Sequence, residues 1–199
     1  MVDGVFVAQF VSVDALSALN IVNPLFSLVM GFGVMLGAGG SAVIAKNIGE
    51  GEEQQAFDNL STLVFFGTIL GLVLMVLLLV FMEPILSLLG ATEILMPYCK
   101  EYCYYIVGFL APWVLELMFS SYFITAGKPQ IGLIATLCSG VFNIVGDYVL
   151  IVVVGMGIRG AALATGLATC IPVVIALIYF FNKEHSLHFG RIMNRPRMI

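Results

Sequence analysis

Residues 142–155 read FNIVGDYVLIVVVG, an apolar stretch of the kind that fills lipid, yet it carries Asn143 and Asp147. An ionised carboxylate at mid-bilayer costs about 2.5–3.5 kcal/mol on insertion scales, so an acid there needs a reason. Four residues separate the two polar side chains, which puts both on one face of a helix. Two readings follow. In the bland one, a protonated Asp147 makes a structural hydrogen bond to a neighbouring helix. In the other, the carboxylate lines a cavity and binds a proton or a cation. An amide carbonyl beside a carboxylate is an oxygen-rich patch suited to a hard cation such as Na⁺. The same patch suits a proton, because a low dielectric favours the neutral acid and a nearby cation favours the charged one.

Working outward, the whole chain has the same character. Of 199 residues, 61% are hydrophobic and 10% charged, where soluble domains carry about 25% charged residues. This is the composition of an integral membrane protein. The net charge of −4 and the lack of a basic cluster interleaved with aromatics argue against nucleic acid as a partner. Stretches without charge mark the spans: 15–45, 59–82 and 160–182, with 102–127 broken only by Glu116 and 129–158 only by Asp147. Each exceeds the roughly 20 residues that cross a bilayer as helix. Residues 1–12 are too short to cross and read as the tail of a truncated first helix, with no secretory signal pattern. Polar or Gly/Pro-marked connections fall at 45–59, 81–97, 126–130 and 155–160, with Gly49 and Gly51 expected to break the helix. Residues 183–199 read as a basic linker or tail at the end of one transmembrane domain, 1–199. With five alternating spans, Lys46, Lys128, Lys183, Arg191, Arg195 and Arg197 fall on one side, and Lys100 and Arg159 on the other. That asymmetry assigns the first side, including 183–199, to the cytoplasm.

Gly33/Gly37, Gly67/Gly71 and Gly160/Ala164/Ala168 form small-residue stripes, read as helix packing rather than a dimer face. Pro112 and Pro172 lie within spans and are expected to kink them. Cys99, Cys103, Cys138 and Cys170 show no metal-ligand spacing and read as free, buried thiols. His185 and His188 read as solvated. Glu116 is a second intramembrane acid, with a cavity role and a snorkelling or interhelical bond both open. No hydrolase, phosphate-loop or dinucleotide motif occurs, and no enzyme activity is expected.

Several stretches together resemble the multidrug and toxic compound extrusion (MATE) transporters: NPLFSL (23–28), MLGAGGSAVIAKNIGEGEEQQA (35–56), LLGAT (88–92), AGKPQ (126–130), NIVGDYVLI (143–151) and GIRGAALATGLA (157–168). Their order and spacing cover essentially the whole chain. The resemblance implies an all-α membrane fold: one six-helix, amino-terminal lobe of a twelve-helix transporter, lacking the start of its first helix and the carboxy-terminal lobe. It implies multidrug efflux by antiport of amphipathic, cationic compounds against Na⁺ or H⁺ in a prokaryotic plasma membrane, with the coupling ion as the only non-protein requirement. It also implies a cation or proton site built from Asp3, Asn143, Asp147 and Thr165, the same four residues holding Na⁺ if Na⁺ is the ion. Glu116 matches no family position. The rival readings are a lipid-linked saccharide flippase of the related superfamily, a non-transporting membrane subunit, and a membrane enzyme with paired aspartates. Flippase cavities of that type are rich in Arg and Lys, and no span here holds a basic residue.

Overall fold

The computed structural model of the chain describes residues 2–192, without the side chain of Val2. The outer part of the expected tail, 193–199 with Arg195 and Arg197, lies outside the described residues. Among those described, the regular structure is helical. A short helix, α1 (Val2–Phe10), stops at Val11–Ser12. Extended Ser12 caps the next helix, its Oγ accepting the Ala15 N–H at 3.0 Å. A serine oxygen satisfying a free helical N–H is a strong start signal. That second helix, α2, runs unbroken through Pro24 from Val13 to Gly49, 37 residues or about 55 Å. It therefore outlasts the bilayer core, and its charged end, Lys46–Gly49, stays helical in water. This corrects the expected loop at 45–59. Gly49 sits inside the helix, and the reversal is made at Gly51, whose φ of +80° suits a residue without a Cβ. Helix α3 (Glu53–Val80) returns across the membrane, followed by the short α4 (Met82–Leu88) and a turn at Gly90.

The third of the five crossings starts earlier than charge counting suggests, because Lys100 and Glu101 are already helical. It comprises α5 (Met96–Ile106), a 3₁₀ turn at Val107–Phe109 and α6 (Leu110–Thr125). The interruption lies one turn before Pro112. Proline has no N–H for the carbonyl four residues back, so the ladder loosens there. Helix α7 (Pro129–Asp147) passes into a π-helical segment, Tyr148–Val153, and α8 (Ile158–Phe181) completes the bundle as one continuous helix through Pro172. Five crossings are long and apolar enough to span: Val13–Gly49, Glu53–Val80, Met96–Thr125, Pro129–Val153 and Ile158–Phe181.

Helix α6 is the hub, packed on α2, α3, α7 and α8. The glycine stripes make this possible. A Cβ on Gly71 would land on the Ala111 backbone, and one on Gly33 would stand 2.7 Å from Leu117 Cδ1. Tyr122, Phe119, Phe123 and Phe180 fill the inner core, with Phe119 and Phe123 both stacked on Phe180. In lipid there is little hydrophobic force between helices, so such close packing is what holds them together. All four cysteines are free; Cys99 and Cys103 are buried as expected, but Cys138 is exposed on α7.

Residues 182–192 do not extend away from the bundle. The Phe189 N–H donates to the Phe180 carbonyl at 2.8 Å, the Gly190 N–H to Ser61 Oγ at 2.9 Å, and the Arg191 N–H to Asp58 Oδ1 at 2.7 Å. Leu187 is fully buried. The histidines are not simply solvated: His185 stacks on Tyr179 at 4.1 Å and His188 lies over Phe57 at 4.0 Å. An imidazole hides its apolar faces on an aromatic ring while its nitrogens stay polar.

Candidate functional site

Three helices bring the predicted site residues together. Asn143 and Asp147 share a face of α7, Thr165 faces them from α8, and Asp3 enters from α1. The Asn143 amide donates to Thr165 Oγ1 at 3.2 Å, and the Thr165 hydroxyl donates to Asp3 Oδ2 at 2.6 Å. Asp3 is 8% exposed and Asp147 0%. Close packing continues at this end: a Cβ on Gly146 would stand 3.1 Å from Ala164 Cβ, a contact that would require α7 and α8 to give by a few tenths of an ångström. The Asp147 carboxyl lies within hydrogen-bonding reach of that of Asp3, and no N–H or hydroxyl donor among the described residues reaches either of its oxygens. Two carboxyls sharing one dry spot repel if both are charged, and a buried charge without a partner is costly. One added positive charge, a proton or a monovalent cation, removes both penalties. The oxygens of Asp3, Asp147, Thr165 and Asn143 suit Na⁺, a hard ion that prefers oxygen ligands. No group of three or more His, Cys, Asp or Glu with metal-holding geometry occurs among the described residues.

Asp147 is also the last residue of α7 before the π-helical segment. π-Bulges recur at functional sites because they displace the residues around them from the regular helical register. The sequence gives no sign of this irregularity.

A cavity of about 260 Å³ opens beside the site, with Asp3, Asn143 and Thr165 in its wall. Asp147 is not among its lining residues; it lies behind that wall, which changes the expected picture of a cavity-lining Asp147. Glu116 does line the cavity, together with Asp3, Asn143 and Thr165. The aromatic side, from Phe26, Tyr102 and Trp113, and the polar Asn23 were not anticipated. Part of the cavity was legible all the same. Thr136, Ser139, Asn143 and Asp147 follow one another at spacings of three, four and four, a polar stripe on one face of α7. Ser139 uses its hydroxyl to hold the Ala168 carbonyl of α8 at 2.8 Å.

A bundle of membrane-length helices with a buried carboxyl pair beside an internal cavity defines a polytopic membrane protein with an ionisable core. The family model described as MatE matches residues 1–149, and the chain belongs to that family. It is 31% identical over 177 residues to multidrug export protein MepA of Staphylococcus haemolyticus, covering 88% of this chain and 39% of that protein. It is 30% identical to the MepA of Staphylococcus saprophyticus, covering 91% of this chain and 40% of the relative. The chain thus spans about two fifths of the length of the curated relatives it matches. Among solved structures, a MATE protein in a bent conformation superposes with a TM-score of 0.89 at 22% identity, over 94% of this chain and 42% of that one. An outward-facing MATE family multidrug resistance transporter gives 0.87 at 23% identity, over 95% and 42%. At that identity the likeness speaks for the fold alone.

Proposed function

We propose that this chain forms the amino-terminal lobe of a multidrug exporter in a bacterial plasma membrane, and that the exporter trades Na⁺ or H⁺ for amphipathic organic cations. The missing partner is a second lobe supplied by the rest of a longer protein. The observation that carries the reading is the Asp147 carboxyl: wholly buried, beside Asp3, and without a hydrogen-bond donor. Such a group is stable only while a positive charge sits with it.

The chemistry follows from the connections. With a proton or Na⁺ between Asp3 and Asp147, the pair behaves as a singly charged unit. Thr165 and Asn143 then complete the oxygen shell and hold α1 against α7 and α8. Loss of that charge leaves two repelling carboxylates on different helices. The Val11–Ser12 break lets α1 change its angle to α2 without bending a continuous helix. A cation that binds one arrangement of α1 better than the other shifts the balance between them. Transport requires that this balance open and close the cavity.

The lining also favours cations over the anionic cargo of a flippase. Asp3 and Glu116 face the cavity, and no Lys or Arg does among the described residues. The test is efflux of ethidium from cells expressing the longer protein that carries this lobe. Asp147→Asn should abolish efflux driven by an ion gradient, with the protein still present in the membrane. Retained gradient-driven efflux would refute the coupling role and leave a non-transporting subunit or a structural acid as the better account.

A further inference from the structure

Glu116 has no part in the coupling site just described, yet it is the only other acid in the cavity wall. Among the described residues it forms no ion pair and accepts no hydrogen bond. Its helix also presents Trp113 to the same cavity, three residues earlier and so on the same face. Trp113 stacks on Phe26 with ring centroids 5.3 Å apart, and Tyr102 meets Phe26 edge-on at 6.0 Å. The three rings come from three different helices, and Asn23 adds an amide beside Phe26. The cavity therefore has an aromatic wall with an unpartnered carboxyl group next to it.

We propose that Glu116, Trp113 and Phe26 form a subsite for the cationic head of an aromatic ammonium or amidinium compound, separate from the Asp3–Asp147 pair. The proposal rests on the export reading for the premise that organic cations enter this cavity. Glu116 acts electrostatically on Cys170 of α8, five residues or roughly 7 Å along that helix from Thr165 of the coupling site. Asn143, at the coupling site, lies seven residues along α7 from Thr136 at the other end of the cavity, or roughly 10 Å. Thr169, which also lines the cavity, lies one turn beyond Thr165 on α8. The face of an aromatic ring attracts a cation, and a desolvated contact is worth about 2 kcal/mol. A carboxylate beside the rings supplies the opposite charge that a buried head group requires. A quaternary ammonium wraps its charge in alkyl groups, so it can neither hydrogen-bond nor be closely coordinated by the buried aspartate pair, but it fits a ring-lined subsite. The volume agrees with a head group rather than a whole drug: about 260 Å³ is slightly below the roughly 300–1,000 Å³ of complete ligand sites.

Trp113 is the only tryptophan in the 199 residues, so its fluorescence reports on this wall directly. The test titrates the purified chain in lipid nanodiscs with phenyltrimethylammonium and, separately, with its uncharged isostere tert-butylbenzene. The cation should change Trp113 fluorescence saturably and bind at least about tenfold tighter than the neutral compound, a difference of about 1.4 kcal/mol. Glu116→Gln should erase that preference while leaving the neutral compound's response as it was. No response to the cation, equal binding of the two compounds, or a preference that survives Glu116→Gln would each overturn the subsite. The comparison on the unaltered chain decides the matter even if Glu116→Gln fails to fold. Binding read at Trp113 needs neither transport nor a coupling ion. Loss of the subsite therefore leaves the aspartate pair standing, and efflux that persists in Asp147→Asn leaves the subsite standing.

Discussion

Thr165 joins the two halves of the site. Its oxygen accepts from Asn143 on α7 and its hydrogen goes to Asp3 on α1. Valine has nearly the same shape and neither capacity. Thr165→Val should leave the Asn143 amide and an Asp3 oxygen unpaired in a dry site, at a cost of about 1–3 kcal/mol. Thermal unfolding in detergent should show the drop, and Thr165→Ser should restore most of it. If Thr165→Val unfolds like the parent, the hydroxyl does not bridge the helices. At this scale the sequence was informative in proportion to chemical cost. Asp147 stands out because charge in an apolar run is expensive, and Asn143 follows from it by helical spacing. Phe26, Tyr102 and Trp113 are invisible in the same sense, since an aromatic residue in a membrane helix costs nothing and its place in a cavity wall depends on three helices meeting.

Helix contacts supply the next tier of tests. Gly71 touches the Ala111 backbone, whereas a Cβ on Gly31 would meet nothing within 4 Å. Gly71→Ala should force α3 away from α6 and destabilise by about 1–3 kcal/mol, the usual cost of overpacking. Gly31→Ala should be neutral or stabilising by up to about 1 kcal/mol, through helix propensity alone. Paired unfolding curves check both, and equal effects would contradict the packing. Gly190 is a third case. A Cβ there would run into Asp58 and the Phe57 backbone, so Gly190→Ala should loosen residues 182–192 from α3 and speed their proteolysis. Element types and their number could be read from charge-free runs. Their ends could not, since a helix persists past the bilayer wherever its backbone bonds continue, as α2 does to Gly49. The π-helical segment after Asp147 was also hidden, because no residue type marks it.

At the scale of the whole molecule, the positive charges are expected to sort by membrane side. Lys46 and Lys128 belong to the side assigned to the cytoplasm, and Lys100 and Arg159 to the other. Lys128→Cys should react with an impermeant maleimide only from the cytoplasmic side, and Arg159→Cys only from outside; the reverse pattern would invert the topology. On the side opposite Lys46 and Lys128, Glu83 of α4 pairs with Lys100 of α5. The hydrogen bond and charge of that ammonium hold the exposed Glu83 carboxyl below its usual range. A carboxyl depressed on folding stabilises above its unfolded value, and the contribution is lost as pH falls through the folded one. Glu83→Gln should flatten that small acid-side dependence in unfolding curves.

The central claim is that one positive charge resides with Asp3 and Asp147 in the folded lobe. A species that binds the native state and not the unfolded one raises the unfolding temperature. The most direct measurement is therefore the unfolding temperature of the purified chain as Na⁺ is added and, in a second series, as acid is added. The account predicts that at least one of the two stabilises the parent, and that Asp147→Asn abolishes the response. An Asp147→Asn chain that responds as the parent does, or a parent that responds to neither ion, would contradict it.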